Sequence, residues 1–139
     1  MTVSEEDLTV VRRAFDSFNE IGANIDAPFE APAAVFDDDP EIVPFRAALE
    51  DTMYSGSSAF DDFWDDSRES WSELHVELES LEPVGGGVLA VGRLIGTSRD
   101  AGAHVESRIA FACHLRDGLV WRLASHLSEE SARRELGAD

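Results

Sequence analysis

His104-Val-Glu-Ser-Arg-Ile-Ala-Phe-Ala-Cys-His-Leu115, Arg116-Asp-Gly118, Leu119-Val-Trp-Arg-Leu-Ala-Ser-His-Leu127 and Ser128-Glu-Glu-Ser-Ala-Arg-Arg-Glu-Leu-Gly137 follow one another without a break. They read as strand, tight turn, strand and short terminal helix. Asp-Gly between two alternating runs is a strong hairpin signal, because the turn needs positive φ and glycine adopts it freely. Ser128 is placed to cap the last helix and Gly137 to end it.

Upstream, Leu74-His-Val-Glu-Leu-Glu79 alternates strictly, so Leu74, Val76 and Leu78 share one face of a strand. Val88 to Thr97 reads as a longer strand, apolar on both faces, with Pro83 to Gly87 as the turn between. Ser4 to about Ile21 is a helix with Leu8, Val11, Phe15 and Phe18 on one face. Ser4 with Asp7 makes its start, and Gly22 ends it. Ser57 or Ser58 starts another helix that runs to about Ser70, with Phe60, Phe63, Trp64 and Trp71 on its apolar side. Between these helices the signals weaken. Pro28 and Pro32 predict a broken helix over 24–36, since an interior proline costs about 3 kcal/mol. Phe36-Asp-Asp-Asp-Pro40 reads as a turn, Glu41 to Phe45 as a short strand, and 46–53 as weakly helical. Helices first and an antiparallel meander last define an α+β class.

With 139 residues the chain reads as one domain, 1–139, able to bury one core. The net charge is −18, and all 11 strongly basic residues are arginine. Phosphate binding needs a basic patch, so nucleic acid and anionic membrane are excluded as partners. There is no apolar run of about 18 residues to span a membrane. The acidic start of the chain lacks the pattern of a signal peptide. A single cysteine, Cys113, permits no internal disulfide and fits a reducing cytoplasm.

The order of elements resembles a SnoaL-like domain of the NTF2-like superfamily. The pieces that carry the resemblance are Ser57-Ser-Ala-Phe-Asp-Asp-Phe-Trp64, Gly92-Arg93, Arg116-Asp-Gly118 and the strand-to-helix ending. The resemblance implies a cone-shaped α+β fold, with a strongly curved sheet wrapped around the N-terminal helices. It also implies an inner cavity whose walls carry Val91, Arg93 and Ile95 from one strand. Ser107, Ile109, Phe111 and Cys113 come from the next, and Trp121, Leu123 and Ser125 from the last. Alternation alone gives the same faces for the last two strands. Phe15, Phe18, Phe60, Phe63 and Trp64 would close the cavity from the helices. The other face, with Ala90, Ala110, Ala112, Ala124, Arg108, Arg122, His114 and His126, has many small residues, which fits a homodimer contact.

The superfamily includes cyclases, isomerases, epoxide hydrolases, dehydratases and members without chemistry, so fold alone does not give function. At the positions of the hydrolases' acid–arginine–acid set stand Ile95, Arg93 and Ser125. No carboxylate is patterned inward to serve as the base an isomerase needs. Arg93 is either the cation that binds a ligand carboxylate or enolate, or one half of an ion pair with Asp16 or Glu20. The four histidines lie on different strands without metal-ligand spacing, so no metal and no cofactor is expected. His126 fits a dimer contact. Cys113 in an apolar strand reads as a small hydrophobe.

Two readings stand. In one, the chain binds a hydrophobic or ring-bearing small molecule with Arg93, Ser107 and Ser125 as its polar groups, with or without isomerase, cyclase or dehydratase activity. In the other, it is a non-enzymatic dimeric binding or interaction module whose aromatics fill their own cavity.

Overall fold

In the computed structural model the described residues are 3–27, 35–44 and 53–137. Helix α1 spans Glu5–Ala23. Its start is the capping box expected from Ser4 and Asp7: the Asp7 amide donates to Ser4 Oγ, and the Ser4 amide donates to Asp7 Oδ2. The helix does not stop at Gly22. That residue lies inside its last turn against β3 (Trp71–Val84), where a Cβ would stand 1.6 Å from the Leu74 carbonyl oxygen. Glycine is there because the helix touches the strand backbone.

Six strands form one sheet in the order β2-β1-β6-β5-β4-β3. They are β1 (Phe36–Val43), β2 (Tyr54–Ser55), β3, β4 (Gly87–Ser98), β5 (His104–Arg116) and β6 (Leu119–His126). β1 and β6 run parallel, and the other neighbours are antiparallel. Helix α2 (Ala59–Ser70) follows β2, and helix α3 (Glu129–Glu135) follows β6. The β5–β6 hairpin turns at Asp117 and Gly118, with φ of 54° and 78°, as the Asp-Gly pair dictates. Ser128 Oγ accepts the Ser131 amide at the start of α3, and Gly137, φ 94°, lies just past its end.

The stretch 36–40, read as a turn, is the first half of β1: Phe36 pairs with Val120 and Glu41 with Arg122 across a register shift. Pro40 is tolerated because that irregular stretch lacks a regular ladder. Trp71 is not the end of a helix face but the first residue of β3. The turn after β3 is only Gly85 and Gly86. The broken helix expected over 24–36 and the weak helix over 46–53 fall mostly outside the described residues.

Two cores lie on the two faces of the sheet. On the inner face Val11, Ala14 and Phe15 of α1 and Phe60 and Trp64 of α2 pack against Leu74, Val76, Leu94, Ile109 and Phe111. β3 is an edge strand, and Asn19 of α1 completes it: its side-chain amide donates to the Val76 carbonyl and accepts the Val76 N–H at 2.9 and 2.7 Å. On the outer face α3 lays Ala132 and Leu136 on Leu89, Val91, Ala110, Ala112 and Ala124.

This second core corrects the expected dimer surface. Ala110, Ala112 and Ala124 are almost completely buried within one chain. Their small side chains admit α3, not a second sheet. Ala90 belongs to the inner core.

Candidate functional site

A cavity of about 110 Å³ remains open in the inner core. α1 supplies Ala14, Phe15 and Phe18 to its wall, and α2 supplies Phe60, Phe63, Trp64, Ser67 and Ser70. The sheet supplies Phe36, Ile42, Trp71, Leu74, Val76, Leu94, Ile109, Phe111, Leu123 and Ser125, with Val43 and Pro44 at the end of β1. The rings hold one another in place. Phe15 meets Phe111 edge-on at 4.9 Å, Phe18 leans on Trp64 at 5.0 Å, and Phe63 stands against Trp64 at 5.1 Å. Such tilted and edge-on pairs match the ring quadrupoles.

The polar part of the wall is three serine hydroxyls. Ser67 Oγ donates to the Phe63 carbonyl at 2.7 Å, one helical turn back. Ser70 and Ser125 are the other two serines of the wall. No ionisable side chain lines the cavity among these residues.

Of the residues expected here, Phe15, Phe18, Trp64, Ile109, Phe111, Leu123 and Ser125 come together in the wall. Cys113 is fully buried in the same core, where burial pushes its thiol pKa well above the usual range. Ser107 shares that face, opposite Leu94, but is not part of the wall; its hydroxyl donates to the Arg108 carbonyl.

Arg93 is on the other side of the sheet. β4 pairs Ala90 with Phe111 and Gly92 with Ile109, so the inward residues of β4 are those in register with inward residues of β5. Directly opposite residues of an antiparallel pair share a face. Val91, Arg93 and Ile95 therefore point outward, and Leu94 takes the inner position. The Arg93 guanidinium bonds Glu106 at 2.6 Å and Glu77 at 3.5 Å, half-exposed. Its partners come from the neighbouring strands, not from Asp16 or Glu20.

Trp121 is also outside. The register shifts between His114 and Leu115, so that His114 faces Arg122 while Leu115 faces Val120. Trp121 is the extra residue of a β-bulge, and a bulge re-aims its side chain. The indole lies on His114, 5.6 Å between centroids, with the Arg116 guanidinium over it at 5.2 Å.

The most connected polar cluster lies under α3. Glu135 accepts from His114 Nε2 at 2.8 Å, from His126 Nε2 at 3.0 Å, and from Nε and Nη2 of Arg122, both at 3.2 Å. Arg122 Nη1 reaches Glu41 at 2.8 Å. Burial alone would raise the Glu135 carboxyl, but the hydrogen bonds from His114, His126 and Arg122 outweigh it and hold it well below the usual carboxylate range. His126 is thus engaged with its own chain's last helix. Among the described residues no group of His, Cys, Asp and Glu is placed to hold a metal ion.

A curved mixed sheet closed on one side by two helices around an apolar cavity is the cone-like α+β fold of NTF2-like proteins. The chain belongs to the SnoaL-like domain family, whose model matches residues 11–123. Solved structures agree with this fold. An NTF2-like protein of unknown function from Burkholderia pseudomallei is similar with a TM-score of 0.69 at 12% identity, over 97% of this chain and 100% of that one. A protein from Jannaschia sp. CCS1, described as a "putative SnoaL-like polyketide cyclase", is similar with a TM-score of 0.68 at 15% identity, over 99% and 95%. TerC, co-crystallised with polyporic acid, reaches 0.72 at 12% identity, over 96% and 100%. No curated protein matches the chain at a significant level.

Proposed function

We propose that this SnoaL-like domain binds a small, neutral, largely apolar molecule in its inner cavity: one ring or a short branched chain with at most one hydrogen-bonding group. The observation that carries this is the wall, apolar apart from serine hydroxyls and free of ionisable groups among the described residues. A carboxylate would enter such a wall without a counter-charge, and an unpaired buried charge is expensive. The volume, about 110 Å³, is of the order of the roughly 150 Å³ apolar cavity that takes one benzene. It is well below the roughly 300–1,000 Å³ of pockets for drug-sized ligands. The open volume argues against a cavity filled by its own aromatics. Binding of an organic molecule has a parallel in TerC, a protein of similar fold co-crystallised with polyporic acid.

Isomerase, cyclase or dehydratase chemistry requires a titratable group within reach of the reacting proton. The described wall has none, so the reading stops at binding and selection. Ser125, on the sheet side of the wall, offers a hydroxyl for a guest's single polar group. A thermal-shift comparison of phenol, toluene and benzoate tests this. Phenol and toluene should raise the melting temperature and benzoate should not; Ser125→Ala should remove the advantage of phenol over toluene. Stabilisation by benzoate alone would overturn the reading.

A further inference from the structure

α3 and the end of β6 form an open groove of about 470 Å³, which shares Val43 and Ser125 with the cavity wall. Val43, Ala124 and Leu127 give it an apolar side, and Arg122, His126, Ser131 and Glu135 a polar one. Within it one imidazole bridges two residues of α3. Ser131 Oγ lies 2.8 Å from His126 Nδ1, and Glu135 Oε1 lies 3.0 Å from His126 Nε2.

The proton positions follow from the partners. Glu135 is an ionised carboxylate and can only accept. Nε2 of His126 therefore carries a hydrogen. In the neutral imidazole Nδ1 is then an acceptor, and Ser131 Oγ–H donates to it. A hydroxyl bonded to a basic nitrogen, whose other nitrogen is held by a carboxylate, is the arrangement that activates a serine. Ser131 and Glu135 are four residues apart and so share a helix face. The Ser128 cap fixes the first turn of that helix. Glu135 is itself anchored by His114 and Arg122, which keeps the imidazole in one orientation.

We propose that Ser131, His126 and Glu135 form a second site, an acyl-transfer centre for small uncharged esters. Ser131 Oγ attacks the ester carbonyl carbon as its proton passes to His126 Nδ1. The carbonyl electron pair moves to oxygen, beside the Arg122 guanidinium in the same groove. As the carbonyl re-forms, the bond to the leaving oxygen breaks, and His126 returns the proton to it, releasing the alcohol. Water then adds to the acyl-Ser131 ester by the same route, giving the carboxylic acid and free Ser131. The acyl chain would lie along Val43 and Leu127. Glu41 and Glu135, together with the net charge of −18, disfavour anionic esters.

The test is p-nitrophenyl acetate with the full chain. The expected result is release of p-nitrophenol with one acetyl group on Ser131, located by peptide mass spectrometry after an acid quench. Ser131→Ala, which keeps a good helix former at that position, should slow release about a hundredfold. His126→Ala should do the same. Release by Ser131→Ala at the parent rate, an acetyl group found only elsewhere, or a parent rate equal to buffer would each overturn the proposal.

Discussion

Phe15 of α1 and Phe111 of β5 meet edge to face, 4.9 Å between centroids. This contact is both part of the core and part of the cavity wall. Fold and cavity shape are therefore coupled at one ring pair. Phe111→Ala should cost about 3–5 kcal/mol in chemical denaturation, the usual range for a buried ring. The same change should enlarge the cavity and shift preference from one-ring to two-ring guests, read by thermal shift with toluene and naphthalene.

Arg93 is half-exposed between Glu77 and Glu106 on the outer face. Exposed ion pairs are worth about 0–1 kcal/mol. Arg93→Met should therefore change stability by no more than about 1 kcal/mol and leave binding of neutral rings unaltered. A large loss of ligand affinity in that variant would show that the guanidinium reaches the cavity.

Much of this architecture was readable from residue order. The Asp117-Gly118 turn, the Ser4 and Ser128 caps, and the alternation of β5 state their geometry locally, because each depends on a few neighbouring residues. The faces of β4 do not. Val88, Leu89, Ala90 and Val91 are all apolar, so alternation cannot choose between them. Only the long-range register with β5 turns Leu94 inward and Arg93 outward. The bulge at Trp121 is hidden for the same reason: one extra residue reverses a face without leaving a turn signal. The alanines of the outer face announced a close contact correctly, but not that α3 of the same chain makes it. Among the cavity residues, Phe15, Phe18, Phe60, Phe63 and Trp64 were visible from helical spacing. Ser67 and Ser70 were not, because a serine on an acidic helix carries no mark of burial.

Ala112 is fully buried beneath α3. Ala112→Arg should force a long charged side chain between sheet and helix, and should cost about 3 kcal/mol or more through overpacking and charge burial. Urea denaturation at several protein concentrations measures it. The loss should not depend on concentration, because the contact broken lies within one chain. A fully stable variant that merely changed oligomeric state would instead place these alanines between two copies.

Glu135 has a folded-state pKa held below its ordinary value by His114, His126 and Arg122, against the opposing effect of burial. A depressed carboxylate pKa gives stability that is present above the unfolded value, about 4.3, and lost as pH falls toward the folded one. Glu135→Gln should therefore be less stable than the parent at pH 5, and the gap should narrow steadily at lower pH. Melting curves between pH 5 and pH 2.5 measure this. A gap that stays constant would mean that the carboxylate charge does not hold α3.

The central claim, that the inner cavity takes a neutral one-ring guest, is tested most directly by an NMR titration of isotope-labelled protein with toluene. The account predicts saturable shifts concentrated on Phe15, Phe18, Ile109, Phe111 and Leu123, with intermolecular contacts from toluene to the same side chains. Benzoate at equal concentration should leave those signals in place. Toluene shifts confined to the outer face, or benzoate shifts at Ile109 and Phe111, would contradict it.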